Sequence, residues 1–256
     1  AWDPTRGILD AAASGADAVV HLAGASIAGG RWTASRKRLL RESRVAATHQ
    51  LVEALGQLAK PPKVFVAASA IGFYGDRGEE ELTESSASGQ DFLADLCRGW
   101  EAESGRGAAF GARVVILRFG IILAKHGGAL PRMALPFRFG VGGHLGSGRQ
   151  WMSWVALEDV VGIVKYALGA GNLAGPVNVV SPHPVRNLDF TAVLGRVLHR
   201  PTLLPAPGFA LRAALGEMAG ALLLSSQRVL PQKIQAFGYP FSQQGLEPAL
   251  RSIWGG

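Results

Sequence analysis

The segment that most constrains the fold lies near the start of the chain, where an apolar run breaks into small residues. Residues 18–22 read Ala-Val-Val-His-Leu, and the chain continues as Ala-Gly-Ala-Ser through Ser26. Buried parallel strands of open α/β sheets have this composition, and ligands bind beyond their carboxyl ends. Small residues at that point let the backbone approach a flat or phosphorylated ligand closely. The segment therefore predicts a nucleotide-binding α/β sheet.

The same strand is typical of a middle strand of such a fold, not of its first. The strand, glycine-rich turn and helix that hold a pyrophosphate do not occur in the residues before Ala16. A first βαβ unit needs about 30 residues or more. The sequence therefore predicts that the chain begins inside its own cofactor domain.

Composition fits one large core with a small appendage. The chain has 256 residues, of which 48% are hydrophobic and 18% charged, enough to bury a sizeable core. It contains no apolar run of membrane-spanning length, so we expect no membrane association. The single cysteine, Cys97, excludes an internal disulfide and is typical of a cytoplasmic protein. No spacing of His, Cys and acidic residues matches a metal motif, so no metal is expected.

The net charge of +7 is concentrated most densely between Arg31 and Arg44. Apolar residues in and beyond this run recur at helical spacing, which places the arginines largely on one exposed helix face. A solvated face and attraction of an anionic ligand are both open interpretations. Nucleic-acid binding is the least favoured, because no aromatic pattern or known reader motif accompanies the charges.

Strands and helices alternate along the chain, which predicts a doubly wound, Rossmann-like parallel sheet with right-handed crossovers. The pattern predicts strands at Ala18–Leu22, Lys63–Ala67, Arg113–Leu117 and Val177–Val180, and helices at Ala34–Gln57, Asp91–Ala109, Leu157–Ala170 and Phe209–Leu224. The glycine-rich stretch 127–148 is predicted to be a mobile or ligand-wrapping loop. Residues 1–200 are predicted to form the Rossmann-like domain, and residues 201–256 a small C-terminal lobe.

Several motifs together resemble the extended short-chain dehydrogenase/reductase superfamily. They are HLAG at 21–24, ASAIGFYG at 68–75, RFGIIL at 118–123 and WVALEDV at 154–160. More narrowly, GGRW at 29–32, ESRVAAT at 42–48 and GSGRQWMSWV at 146–155 resemble a sugar-nucleotide epimerase family whose members carry a small extra C-terminal domain. Residues 225–241 are similar to that domain, so the resemblance covers essentially the whole chain.

The resemblance implies an NADP-type dinucleotide at the carboxyl ends of the sheet, with NAD as the alternative. The residues it places at the cofactor are Leu22, Ala23, Gly24, Arg44, Ile121 and Ile122. Arg44 has a guanidinium fork suited to phosphate oxygens, and its alternative role is a surface salt bridge. The two isoleucines would support the nicotinamide, and their alternative is plain core packing.

Members of the superfamily that transfer hydride use a serine and a Tyr-x-x-x-Lys pair on the following helix. Ser69 occupies the serine position, but matching the helix places Leu93 at the tyrosine position and Cys97 at the lysine position. Neither residue can supply the proton-transfer pair. Tyr74 is the remaining hydroxyl predicted near Ser69, although it is also typical of a packed structural tyrosine. Ser69 and Tyr74 are therefore the predicted catalytic residues.

Arg149, Gln150 and Trp154 are the predicted substrate-binding residues. A fork donor and an amide next to aromatic surface suit a polar or phosphorylated sugar-like molecule, although Trp154 could instead join the lobe to the core. The sequence favours an NADP-dependent oxidoreductase or nucleotide-sugar epimerase acting on a small polar substrate. The alternative is a catalytically weak or inactive NADP-binding sensor or interaction protein, and nothing in the sequence predicts the oligomeric state.

Overall fold

The computed structural model describes residues 2–3, 8–9 and 13–254. The strands are β1 (Trp2–Asp3), β2 (Ile8–Leu9), β3 (Ala18–His21), β4 (Val64–Ala70), β5 (Glu81–Leu82), β6 (Arg113–Phe119), β7 (Ile121–Leu123), β8 (Trp151–Met152), β9 (Trp154–Ala156), β10 (Gly175–Val179), β11 (Val185–Arg186) and β12 (Arg228–Val229). The helices are α1 (Ala34–Arg41), α2 (Ala47–Gly56), α3 (Phe92–Gly105), α4 (Leu130–Arg138), α5 (Leu157–Gly169), α6 (Asn187–Leu198), α7 (Gly208–Leu215), α8 (Glu217–Ala219), α9 (Gln232–Ala236) and α10 (Leu246–Trp254).

The central sheet has four parallel strands in the order β10-β6-β4-β3. The register pairs Val64 of β4 with Arg113 of β6, and the pairing continues strand-long to Ala70 and Phe119. The middle strands are buried on both faces, as expected for near-continuous apolar runs between helical layers. The predicted α/β class with a parallel sheet is confirmed. Among the described strands, β3 forms one edge of this sheet.

Buried side chains form clusters on both faces of the sheet. One cluster joins Val66, Val115 and Val177 of the sheet to Ile163 of α5. On the other face, Phe65 and Ile116 of the sheet are packed with α2 residues. The strands are therefore packed on both faces, and the loops that leave their carboxyl ends are where the sequence predicts the site.

The long helix predicted at Ala34–Gln57 is interrupted. A π-helical turn at Glu42–Ala46 separates α1 from α2. Such turns add a residue to the helical ladder and are frequent at functional sites. This turn holds Ser43 and Arg44, and both side chains contact the loop that follows β3.

The prediction of an irregular loop for 127–148 is wrong over much of its length, because α4 lies within it. Pro131 is in the first turn, where a missing amide N–H costs nothing. Leu130, Ala134 and Phe137 recur at helical spacing and are buried. Because glycines flank this short helix on both sides, its helical spacing of apolar residues is too brief to predict a helix from the sequence. The sequence also gave no prediction for α6, which buries Phe190 and Leu194 against α10.

The C-terminal helix predicted at Phe209–Leu224 is divided into α7, α8 and a π-helical turn at Gly220–Leu224. Gly216, between α7 and α8, has a φ of 65°, which glycine adopts without strain. The tail is fixed to α5 by Asp159, whose buried carboxylate accepts hydrogen bonds from Ser242 and Gln243. The domain boundary at residue 200 stays a prediction.

Two structural features of the described residues bear on function. None of the helices there has the length and apolar character needed to cross a bilayer. The same part of the chain holds no group of three His, Cys, Asp or Glu side chains arranged for a metal ion.

Candidate functional site

Ser69 lies at the carboxyl end of β4, where a parallel sheet presents side chains to a ligand. Its hydroxyl donates a hydrogen bond of 2.6 Å to Oε1 of Glu101 on α3. A carboxylate can only accept, so the serine proton is committed to Glu101. The Ser69 oxygen is thereby left with lone pairs to accept a hydrogen bond from elsewhere.

Glu101 also forms a two-bond ion pair with Arg118 near the end of β6. Arg118 Nε and Nη2 each lie 2.8 Å from a Glu101 carboxylate oxygen. The Arg118 side chain is only 4% exposed and that of Glu101 10%. Burial opposes the charge of Arg118, but its bonds to Glu101 and Tyr74 prevail and hold its pKa above the ordinary value. Arg118 is therefore charged.

Tyr74 completes this buried system, which we call the Glu101 network: Ser69, Tyr74, Glu101, Arg118 and Asn178. The Tyr74 hydroxyl donates to Asn178 Oδ1 at 2.7 Å and accepts from Arg118 Nη1 at 2.9 Å. Burial raises the pKa of Tyr74 in spite of the arginine. Since the side chain has no exposed surface, its contacts fit the packing alternative better than the predicted catalytic one.

The helix positions matched to the usual Tyr and Lys pair, Leu93 and Cys97, are both buried. Leu93 is buried against Gly72. The Cys97 thiol donates weakly to the carbonyl of Ala70 at 3.7 Å. Burial, with the Glu101 charge added, raises the pKa of Cys97 to about 12. At neutral pH this position therefore carries a neutral thiol and supplies no cation.

The predicted cofactor residues Leu22, Ala23 and Gly24 follow β3 directly and are exposed, Leu22 by 53%. Arg44 lies against them: a Cβ added at Gly24 would be 3.2 Å from the guanidinium carbon. Arg44 Nη2 donates to the carbonyl of Ala25 at 2.9 Å. A side chain at position 24 would therefore displace the guanidinium by a few tenths of an ångström.

Arg44 also stacks over the Trp100 ring, with its guanidinium carbon 5.2 Å from the ring centroid. Its surroundings are partly desolvating, and that burial lowers its pKa from the ordinary arginine value without removing the charge. No ion pair with an acidic side chain is present for Arg44 among the described residues. A cation with unused N–H donors next to exposed backbone fits a phosphorylated dinucleotide. The surface salt-bridge alternative has no partner there.

Ile121 and Ile122 lie on β7, which pairs with β9 in parallel. Both are half-buried and pack against core clusters on opposite sides of the strand. The preceding Gly120 is in close contact with Ser153, since an added Cβ would be 2.6 Å from its carbonyl oxygen. These packing contacts account for much of the buried surface of Ile121 and Ile122. Their contact with a nicotinamide stays a prediction.

The three predicted substrate residues are not brought together on one open surface. Gln150 is buried and donates to the carbonyls of Leu145 and Leu223. Trp154 is fully buried and donates to the carbonyl of His183 at 3.0 Å. Of the three, Arg149 alone is exposed. The alternative of core packing therefore describes Trp154, and the polar groups of Gln150 are already used within the protein.

The basic run between Arg31 and Arg44 is more than a solvated face. Lys37 bonds to Glu217 of α8 at 2.5 Å, and Arg41 bonds to Asp95 of α3. Both cations also lie over the ring of Phe92. These contacts join α1 to α3 and to the C-terminal helices beside the site.

A cavity of about 420 Å³ opens at this junction, and we call it the α3 cavity. Aromatic side chains and carboxylates line it, together with one arginine: Trp32, Phe92, Asp76, Asp91, Glu217 and Arg212. Asp91 caps α3 by accepting from the Ala94 N–H at 2.8 Å. The cavity lies beside Leu93, which packs with Trp32 in one apolar cluster.

The sequence patterns did not predict Arg118, Asn178 or Glu101 as site residues. Arg118 ends the apolar run 113–117, where an arginine inside a buried strand is unusual and therefore informative. Asn178 likewise interrupts the apolar strand β10. Buried polar residues need partners, and this rule could have paired them with Glu101 and Tyr74.

Comparison with known proteins agrees with this geometry. Residues 5–180 match the model of the NAD dependent epimerase/dehydratase family, and residues 206–253 match a domain of unknown function, DUF1731. The chain belongs to the NAD dependent epimerase/dehydratase family. An epimerase family protein of Mycobacterium leprae, ML0860, is 40% identical over 250 residues, which span 97% of this chain and 81% of that protein. The sequence-based family and Rossmann-type fold are thus confirmed.

Two solved structures extend this family comparison. The human epimerase family protein SDR39U1 (isoform 2), crystallised with NADPH, is 32% identical with a TM-score of 0.91, covering 99% of this chain and 85% of that chain. A nucleoside-diphosphate sugar epimerase from Corynebacterium glutamicum is 35% identical with a TM-score of 0.78, covering 99% of this chain and 49% of that chain.

Proposed function

We propose that this family member binds an NADP-type dinucleotide beside Arg44 and performs hydride chemistry on a small polar substrate, as an oxidoreductase or epimerase. The observation that carries the proposal is the contact of the Arg44 guanidinium with Gly24 at the exposed end of β3. Support comes from the NADPH in the human relative. NAD remains the alternative cofactor. The free thiol of Cys97 supports a cytoplasmic location.

In this proposal, separate residues bind the cofactor and orient the substrate. Leu22 to Gly24 give a close backbone surface, and Arg44 supplies a fork for phosphate oxygens. The bound dinucleotide supplies or accepts the hydride. Ser69 orients the reacting group, and because its proton is committed to Glu101 it accepts a hydrogen bond from a substrate hydroxyl.

Proton transfer is the weak part of this site. Leu93 has no exchangeable proton, and the Cys97 thiol has a pKa raised to about 12. General acid–base catalysis typically contributes about 10²–10⁴-fold. We therefore expect turnover that is slow compared with that of dehydrogenases that keep the tyrosine and lysine.

The α3 cavity is the proposed position of the substrate. Its aromatic side chains can stack on a ring, and its carboxylates can accept from hydroxyl groups. The Corynebacterium relative's description as a nucleoside-diphosphate sugar epimerase supports a nucleotide sugar. This assignment replaces Gln150 and Trp154, whose polar atoms are bonded within the fold, and keeps Arg149 as a peripheral contact.

A second function, cofactor binding without turnover, is favoured by one specific observation. The positions matched to the proton-transfer pair hold Leu93 and a neutral Cys97, and Tyr74 is fully buried. Such a protein would act as a sensor or interaction partner whose state follows the cofactor.

Titration of the full-length protein with NADPH and NADH, followed by quenching of tryptophan fluorescence, tests the cofactor assignment. We expect saturable binding with preference for NADPH. A panel of nucleotide sugars with NADP⁺ then separates the two functions, since an enzyme forms epimer or reduced cofactor. Saturable binding with no product from any sugar would favour the sensor, and no binding of either dinucleotide would contradict both.

A further inference from the structure

A second surface, which combines arginines with exposed leucine, lies outside the loops that follow the central strands. A groove of about 730 Å³ runs between α6, the segment that follows it and α10. We call it the α6 groove. Its floor is formed by small residues of α6, Ala192 and Gly195, and its rim by Arg196, Arg200, Leu203 and Arg251.

The charge of this groove is strongly one-sided. Among the described residues, its lining includes Arg196, Arg200 and Arg251 and no acidic side chain. Arg196 and Arg251 both bond to Glu247, at 2.8 and 2.6 Å. The Arg200 guanidinium has no hydrogen-bond or ion-pair partner in the described part of the chain. The rim therefore keeps a net positive charge that the protein itself does not neutralise.

The groove is built into the fold and does not depend on a mobile loop. The Arg200 N–H donates to the Gly195 carbonyl at 2.9 Å, which closes the end of α6. Gly195 is needed there, because an added Cβ would be 2.2 Å from the Thr202 side chain. His199 at this turn has a φ of 53°, a left-handed conformation common at helix ends. The rim arginines are therefore positioned in advance.

Large apolar side chains continue the groove across the surface. Leu203 is 81% exposed and Leu204 is 55% exposed. The Leu204 N–H donates to the Gly142 carbonyl at 3.1 Å, which places the 139–141 segment alongside. Phe139 in that segment is 75% exposed. Exposed apolar groups of this size, next to unneutralised cations, mark an interaction site.

We propose that the α6 groove binds an acidic segment of a partner protein, with carboxylates on the arginine rim and apolar side chains on Leu203, Leu204 and Phe139. Charge complementarity selects an acidic partner, and the groove receives the side chains of its bound segment. A symmetric second copy would bring arginine rim against arginine rim.

The test uses a short fluorescein-labelled peptide in which glutamates and leucines alternate, titrated with the full-length protein by fluorescence anisotropy. We expect saturable binding that weakens as salt rises. Arg200→Glu should weaken it by about tenfold. Arg38→Glu makes the same change in net charge on α1, outside the lining of the groove. This control should leave the affinity within about twofold. Since Arg200 has no ion pair to lose, its variant should melt at the temperature of the parent.

Three outcomes would overturn the proposal. Equal losses in the Arg200 and Arg38 variants would mean non-specific attraction by the whole charge. An all-glutamate peptide or heparin that binds as tightly would mean that any polyanion suffices, without the apolar contacts. Sedimentation that shows self-association, lost in Arg200→Glu, would mean that a second copy occupies the groove.

Discussion

Arg118 and Glu101 form a buried two-bond ion pair beneath the carboxyl ends of β4 and β6, and the same carboxylate accepts a hydrogen bond from the Ser69 hydroxyl. One interaction thus fixes both a core arginine and the hydroxyl at the proposed reaction site. An arrangement of this kind is costly to break, because it would leave an uncompensated charge in the interior.

Glu101→Gln should therefore destabilise the protein by about 3–5 kcal/mol, the cost of removing one partner of a buried pair. The measurement is the free energy of unfolding in urea. Glu103→Gln, two residues along α3, removes a carboxylate that is 23% exposed and pairs with the more exposed His49 and Arg106, and it should cost about 1 kcal/mol or less. Similar losses in the two variants would mean that the Arg118 pair adds nothing special.

Arg44→Ala should weaken NADPH binding by about 1–3 kcal/mol, the value of a charge-assisted hydrogen bond to phosphate. Fluorescence titration gives the dissociation constant. Arg38→Ala is the matched control, because Arg38 lies on α1 with its side chain 73% exposed. An unchanged dissociation constant for the Arg44 variant would remove this arginine from the cofactor site.

Cys97 should make stability depend on pH in the alkaline range. Burial raises the pKa of its thiol from 9.0 to about 12, so the unfolded chain ionises first. Its contribution to stability is complete below pH 9 and is lost as pH rises toward 12, at about 1.4 kcal/mol per pH unit. Urea unfolding at several pH values, compared with Cys97→Ala, isolates this effect from other ionising groups. Parallel curves for the two proteins would refute it.

Asp159→Asn should loosen the C-terminal tail. The Asp159 carboxylate accepts from the Ser242 N–H at 2.8 Å, the Ser242 hydroxyl at 2.9 Å and the Gln243 N–H at 3.0 Å. Hydrogen bonds to a charged group are worth about 1.5–3 kcal/mol, so we expect a loss of that order and faster proteolysis near Phe241. The exposed neighbour offers a control, Glu158→Gln, which should behave as the parent does. A tail cleaved at the parental rate in Asp159→Asn would be inconsistent with this anchor.

The parallel sheet was predictable because its strands are apolar runs with clear turn signals between them. Local patterns could not show α4, whose short apolar face lies among glycines and prolines. Nor could they show the interruption before Ala47, since a π-helical turn depends on what its side chains contact. Tertiary contacts decided these elements.

Sequence patterns predicted Ser69 at the end of a strand and Gly24 and Arg44 beside another, where the structure has them, and their functional roles stay predictions. They could not tell whether a polar or aromatic side chain faces a ligand or a backbone carbonyl. Gln150, Trp154 and Tyr74 all have protein partners for their polar atoms. Those partners lie 29 positions away in the chain for Trp154 and 104 positions away for Tyr74, beyond the reach of any local pattern.

Hydride transfer itself is the most direct test of the proposed chemistry. NADPH carrying deuterium at its reactive carbon, incubated with the full-length protein and oxidised nucleotide sugars, would deliver the label to the sugar carbon, which mass spectrometry detects. We predict slow but enzyme-dependent labelling that falls by at least about tenfold in Ser69→Ala, while that variant still binds NADPH. No label above the protein-free control, or labelling at an undiminished rate in Ser69→Ala, would contradict the account of this site.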